Sequence, residues 1–233
     1  GSMRPYIDAA KTRVRTFVQT LGETYPDIPL RIGFVGYRDI FDSQRVTTLP
    51  FQTSLGVFEG QLNVVRATGG NTLTDLTSAL KVASELDWSS AIRVLFHVGD
   101  YPCRGNDYHN LPEYEVKPPG DPNGYKPEAF VRALADKKVN YHFGQLTHHT
   151  DKMIAVLNAR VGSEYIKSEP MNSTTMMEVI TNSVIALLST TLSSSSSTDS
   201  SSSVHPRECS LVLEMPAQWP AVPTERAVSF SLL

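Results

Sequence analysis

The stretch Arg93-Val94-Leu95-Phe96-His97-Val98-Gly99-Asp100 constrains the fold of this chain more than any other. It is an apolar, β-rich run that stops at a carboxylate, and Tyr101-Pro102-Cys103-Arg104-Gly105 then breaks it into a loop. A short run that is apolar on both faces suits a central strand of a parallel sheet, covered by helices on each side. Ligands of open α/β sheets bind outside the carboxyl ends of such strands. Asp100 is therefore expected at the rim of a crevice, where a charge can stay wet. The plainer role for it is to start the following turn.

The rest of the chain alternates in the same sense. Ile7, Ala10, Val14, Phe17, Val18 and Leu21 recur at helical spacing over 5–22, with Pro5 in the first turn, Gly22 as a stop and Ser2 upstream where an N-cap hydroxyl is expected. Leu30 to Tyr37 reads as a second buried strand, and Val46 to Phe51 as a strand that Pro50 assigns to an edge. Helices are expected over 55–65 and behind Thr68-Gly69-Gly70-Asn71-Thr72-Leu73-Thr74-Asp75, where Thr72 and Asp75 have capping-box spacing. A long loop rich in Pro, Gly, Asn and Asp spans 101–126, and loops of that length are often functional. Helices over 127–136, 152–160 and 173–188 alternate with strands over 139–146 and 164–166. The expected class is α/β: a doubly wound, mostly parallel sheet flanked by helices over residues 1–188. Residues 189–204 read as a Ser-rich flexible linker, and 205–233 as an incomplete segment beginning another domain, with strand-like runs at 209–213 and 228–233.

Composition excludes several classes. A net charge of −3 over 233 residues gives no electrostatic case for nucleic acid or an anionic membrane surface. No apolar run approaches the roughly 20 residues needed to span a bilayer. Cys103 and Cys209 form neither a disulfide framework nor a zinc-ligand pattern, which fits a reducing, cytoplasmic setting. There is no Gly-x-Gly-x-x-Gly or Gly-Lys-Ser/Thr phosphate loop.

Three oxygen-bearing positions are expected at loop tips of one sheet: Ser2, Thr72 and Asp100. Hydroxyls with a carboxylate suit a hard divalent cation, and Mg²⁺ keeps several waters and so needs few protein ligands. The arrangement resembles the von Willebrand factor A domain. Its metal-ion-dependent adhesion site is written Asp-x-Ser/Thr-x-Ser in a first loop, a Thr after a glycine-rich turn, and an Asp closing a later strand. Gly1-Ser2-Met3, Gly69-Gly70-Asn71-Thr72 and Asp100 match these in order, over residues 1 to about 188. Gly36-Tyr37-Arg38-Asp39 and Asp100-Tyr101-Pro102-Cys103-Arg104-Gly105 further resemble the A domains that accompany alpha-kinases, where Asp-Ala-Pro-Cys-His-Gly is the usual form of the second segment.

The resemblance implies a Rossmann-like fold and a non-enzymatic protein-interaction domain. It would bind an acidic side chain of a partner through Mg²⁺, or Mn²⁺ or Ca²⁺, held by Ser2, Thr72 and Asp100. Asp39, Thr74, Asp75 and Cys103 would support that site, and the domain would target or regulate an attached alpha-kinase. The family's first strand and its metal-site Asp would precede Gly1. Without them the sheet is expected to have an open slot and the metal to bind weakly or not at all. Two other readings remain at this level: a hydrolase using Cys103 as nucleophile, with His97 or His109 as base, and a metal-free scaffold. Cys103 lacks the Cys-x₅-Arg spacing of cysteine phosphatases, and His97 lies in a strand expected to be buried.

Overall fold

The computed structural model of the protein describes residues 3–66, 73–112, 120–162, 164–195 and 208–216. Its elements in chain order are α1 (Arg4–Thr24), β1 (Leu30–Tyr37), β2 (Val46–Gln52), α2 (Leu55–Val64), α3 (Leu76–Glu85), β3 (Ile92–Gly99), α4 (Pro127–Asp136), β4 (Asn140–Gln145), α5 (Asp151–Val161), β5 (Lys167–Pro170), α6 (Met176–Ser195) and β6 (Cys209–Pro216). They form the expected α/β architecture. Six strands lie in the order β2-β1-β6-β3-β4-β5, and every neighbouring pair is parallel except β1 with β2.

Each face of the sheet has its own core. Met3, Ile7, Val14 and Phe17 of the α1 region pack with Phe58 and Leu62 of α2 and Met176, Ile180 and Val184 of α6, against Phe34, Phe96 and Leu213. On the opposite face, Leu76 and Leu80 of α3, Val131 and Leu134 of α4 and Met153 and Leu157 of α5 cover Val35, Leu95, Tyr141 and Val212. Alternate residues of one strand serve opposite cores, which is why the central strands read as unbroken apolar runs. β2 is an edge strand, and its pairing with β1 shifts register between Ile32 and Phe34, opposite the stretch holding the exposed Pro50. A proline has no ladder N–H to give, so an edge or a bulge is where it fits.

The expected open slot is corrected. β6 lies between β1 and β3, in parallel register with both: Leu30 to Tyr37 pair with Cys209 to Pro216, and Ile92 to His97 pair with Cys209 to Glu214. Part of the segment read as the start of another domain is thus the middle of this sheet. Leu211, Val212 and Leu213 are fully buried, Leu211 and Leu213 on one core and Val212 on the other. Burying three such side chains contributes on the order of 1.5–3 kcal/mol each, and a central strand alone gives them cover on both faces.

Other boundaries also moved. α6 continues to Ser195, seven residues beyond Leu188 and into the stretch read as linker. Ser189 donates to the carbonyl of Ile185, Thr191 to Leu187 and Ser193 to Ser189, so the hydroxyls bond back along the helix. The strand expected over 164–166 lies instead at Lys167–Pro170. α1 passes Gly22 and ends at Thr24, and its N-cap is the buried Met3, which makes no side-chain cap bond, in place of Ser2. The N-cap of α3 is Asp75, in place of Thr72: its carboxylate accepts from the Ser78 N–H. Residues 217–233, with the strand expected over 228–233, lie outside the described residues.

Candidate functional site

Asp100 directly follows β3, at the carboxyl edge of the sheet. The expectation of a wet rim charge is corrected: Asp100 is 6% exposed. The neighbouring strand end holds its backbone. Leu146 N–H donates to Gly99 O at 3.0 Å, and the Thr147 hydroxyl donates to the Asp100 carbonyl. Burial, and then the Asp100 charge, push the Tyr6 phenol above its ordinary pKa, so this carboxyl acts electrostatically on the first turn of α1. Ser2 and Thr72, the other two expected metal ligands, lie outside the described residues.

The four supporting residues are brought together around this edge. Asp75 N–H donates to Arg38 O at 2.8 Å, tying the end of β1 to the start of α3. Thr74 forms a parallel bridge with Cys103, which ties that start to the loop after β3. Arg104, next in that loop, reaches back to Asp39 at the end of β1, with Nε to Oδ1 at 2.7 Å and the second guanidinium nitrogen to Oδ2 at 2.6 Å. Three sequence-distant loops are thereby fixed to one another by backbone and charge.

These contacts also decide what each residue is able to do. Asp39, with a side chain 0% exposed, is committed to a bidentate pair with Arg104. Asp75 accepts from Arg45 Nε at 2.7 Å as well as from Ser78. Burial pushes the Asp75 carboxyl up, and the hydrogen bonds from Ser78 and Arg45 oppose the shift. The Thr74 hydroxyl faces the Pro102 carbonyl at 3.5 Å. Cys103 is fully buried, its N–H directed at the Met153 sulfur 3.2 Å away, and burial pushes its thiol far above the ordinary range. A nucleophilic cysteine needs the opposite, a lowered pKa and an accessible sulfur.

His97 is likewise a core group. Its Nε2 lies 2.6 Å from the Tyr37 hydroxyl and its Nδ1 2.8 Å from the Tyr141 hydroxyl. Burial drives its pKa down to about 3, so the ring is neutral between two phenols. His109 has a lowered pKa too, through burial first and then the charges of Lys152 and Arg104. His148 and His149 form a single 3₁₀ turn, with the His149 ring stacked on Tyr101 at 4.9 Å.

Among the described residues no group of three or more His, Cys, Asp or Glu converges as a metal cage. Asp39 and Asp75 are each engaged by an arginine. Arg45 and Arg104, which hold the two supporting carboxylates, were not singled out from sequence. Their signal was an Arg in each loop leaving a strand, facing acids far along the chain.

The fold is a doubly wound α/β domain whose loops after β1, before α3 and after β3 are fixed to one another at the carboxyl ends of the strands. No family model matches the chain, and no solved structure matches it. It is similar to the alpha-protein kinase vwkA of Dictyostelium discoideum, 31% identical over 159 residues, which cover 66% of this chain and 25% of that protein. The matched region thus spans a quarter of the relative's length.

Proposed function

We propose that this chain is an interaction domain of the von Willebrand A type that captures a protein partner at the carboxyl edge of its sheet. The observation that carries the reading is the position of Asp100, which closes a central strand where loops from β1, α3 and β3 are locked together. The similarity to an alpha-protein kinase supports placing the domain beside such an enzyme, with a targeting or regulatory task. Asp100, with the hydroxyls of Ser2 and Thr72, would hold a divalent cation such as Mg²⁺. Bound there, the cation would supply an open coordination position for an acidic side chain of the partner. The chain's own contribution is positioning. The Arg104–Asp39 pair and the Arg45–Asp75 contact hold the loops, and α3 presents its N-terminus at the same edge.

Thermal unfolding of the chain with and without millimolar Mg²⁺ tests the reading. A ligand that binds only the folded state raises the melting temperature. The expected result is a rise for the parent chain and none for Asp100→Ala. An equal rise in both removes Asp100 from the site, and no rise in either removes the cation.

A further inference from the structure

A cleft of about 270 Å³ lies between the loop after β3 and the start of α4, on the carboxyl side of the sheet. Arg104, Asn106, Asp107 and Tyr108 line it from the first loop, and Asp121 and Tyr125 from the approach to α4. Small-molecule sites run to roughly 300–1,000 Å³, so this one suits a single long side chain.

Asp121 is half engaged. Its Oδ1 accepts from the Asn123 N–H at 2.8 Å and the Tyr125 N–H at 3.2 Å, and its carbonyl accepts from the Gly124 N–H at 3.0 Å. These bonds fix the turn before α4, with Gly124 at φ +73°. The other carboxylate oxygen, Oδ2, is buried and accepts no hydrogen bond among the described residues, and the side chain is 1% exposed. Buried polar atoms of folded proteins nearly always have a hydrogen-bond partner, and leaving a charged one without it is the costlier case.

The cations nearby do not fill that need. The Arg45 guanidinium is 3.9 Å from Asp121 Oδ2 but 2.5 Å from Asp75 Oδ2, and it also donates to Ser78. Arg104 is committed to Asp39, and Arg160 is shared by Asp107 and Glu128. Lys126 is exposed at the cleft and acts on Asp107. Arg45 and Arg160 thus each serve two carboxylates, and at Arg45 the one held farther off is the buried Asp121. Apolar surface is exposed at the same place. Tyr125, 44% exposed, lines the cleft, and Phe41, 65% exposed, lies over the guanidinium of Arg104.

We infer that this cleft receives an arginine side chain of a protein partner, with Asp121 Oδ2 accepting from the guanidinium and the Tyr125 ring against its plane. The inference rests on the reading of the domain as a partner-binding module, and it adds a basic contact to the acidic one assigned to Asp100. A guanidinium suits the site better than an ammonium group. It is planar and weakly hydrated, stacks on aromatic rings and offers several donors at once.

A chemical-shift titration of the isotope-labelled full chain tests this, in EDTA and without added cation. The probes are N-acetyl-arginine methylamide and its neutral isostere N-acetyl-citrulline methylamide. The amides of Asn123 and Tyr125 report, because both donate to Asp121 Oδ1. The arginine probe should shift them saturably in the millimolar range. The citrulline probe should bind at least about tenfold more weakly, as expected when a hydrogen bond loses its charge. Asp121→Asn keeps an oxygen for the turn and removes the charge, so it should weaken the arginine response to the same extent. If that variant does not fold, the comparison of the two probes on the parent chain decides. Unchanged amides in the parent, equal binding of the two probes, or equal binding by the parent and a folded Asp121→Asn each overturns the inference. No cation takes part, so the Mg²⁺ test on Asp100 is able to fail while this one succeeds, and the reverse.

Discussion

Arg104 grips Asp39 with two hydrogen bonds, 2.7 and 2.6 Å long, and the two side chains are 5% and 0% exposed. The exposed ring of Phe41 lies over the guanidinium, 5.3 Å away. This pair joins the loop after β1 to the loop after β3, so its loss has a structural cost as well as an electrostatic one. Removing one partner of a buried pair leaves an uncompensated charge and costs about 3–5 kcal/mol. Asp39→Ala should lose that much in urea unfolding. A loss under about 1 kcal/mol would show that solvent reaches Arg104.

His97 makes stability depend on pH. Its folded pKa is about 3, below the ordinary value of 6.5, so the unfolded chain binds the proton first as pH falls. The contribution of the neutral ring is full above about pH 6.5 and is lost progressively down to about 3. At pH 5 that loss is about 2 kcal/mol, from 1.36 kcal/mol per unit over the 1.5 units below 6.5. Burial lowers His142 and His109 as well, so the parent chain should lose more than this. Urea midpoints compared at pH 7 and pH 5 for the parent chain and His97→Gln isolate the share of His97. The variant should show a shallower fall, and equal falls would contradict the assignment.

Neither cysteine should react while the chain is folded. Cys103 is fully buried, Cys209 is 1% exposed, and burial raises the Cys209 thiol to about 12. An alkylating reagent at pH 7.5 should modify no thiol in the native chain and two after denaturation, read by intact mass. Rapid native labelling of Cys103 would revive the hydrolase.

Asp75 is the cap of α3, and Arg45 stabilises it there. Asp75→Ala should cost about 1–2 kcal/mol, the worth of an N-cap, with the lost Arg45 contact in addition. Asp75→Asn keeps an accepting oxygen and should cost distinctly less. Chemical unfolding of both variants makes the comparison, and equal losses would mean that charge rather than capping is what Asp75 provides.

Local pattern carried much of this architecture. The apolar run into Asp100, the Pro50 edge strand, the stripe of α1 and the helix over 127–136 are short-range signals, and they appear where local pattern put them. What was missed is nonlocal. Cys209 to Leu213 is as good a strand in any sheet, and nothing within it names β1 and β3 as neighbours. Ser and Thr are weak helix formers, so Ser189 to Ser195 read as coil; packing of α6 along α1 and back-bonding hydroxyls extend the helix instead. At the site, the pairing of Asp39 with Arg104 was not legible because the two lie 65 positions apart.

The position of β6 has a consequence for the chain as it is made. Synthesis runs from the amino terminus, so β1 and β3 leave the ribosome long before the piece that bridges them. Until residue 216 emerges, both present bare edges beside apolar faces, the kind of surface that invites aggregation and chaperone capture. The closing step pairs Leu30 with Cys209, 179 positions apart, and it gives the nascent protein an interval in which its two halves exist without a middle.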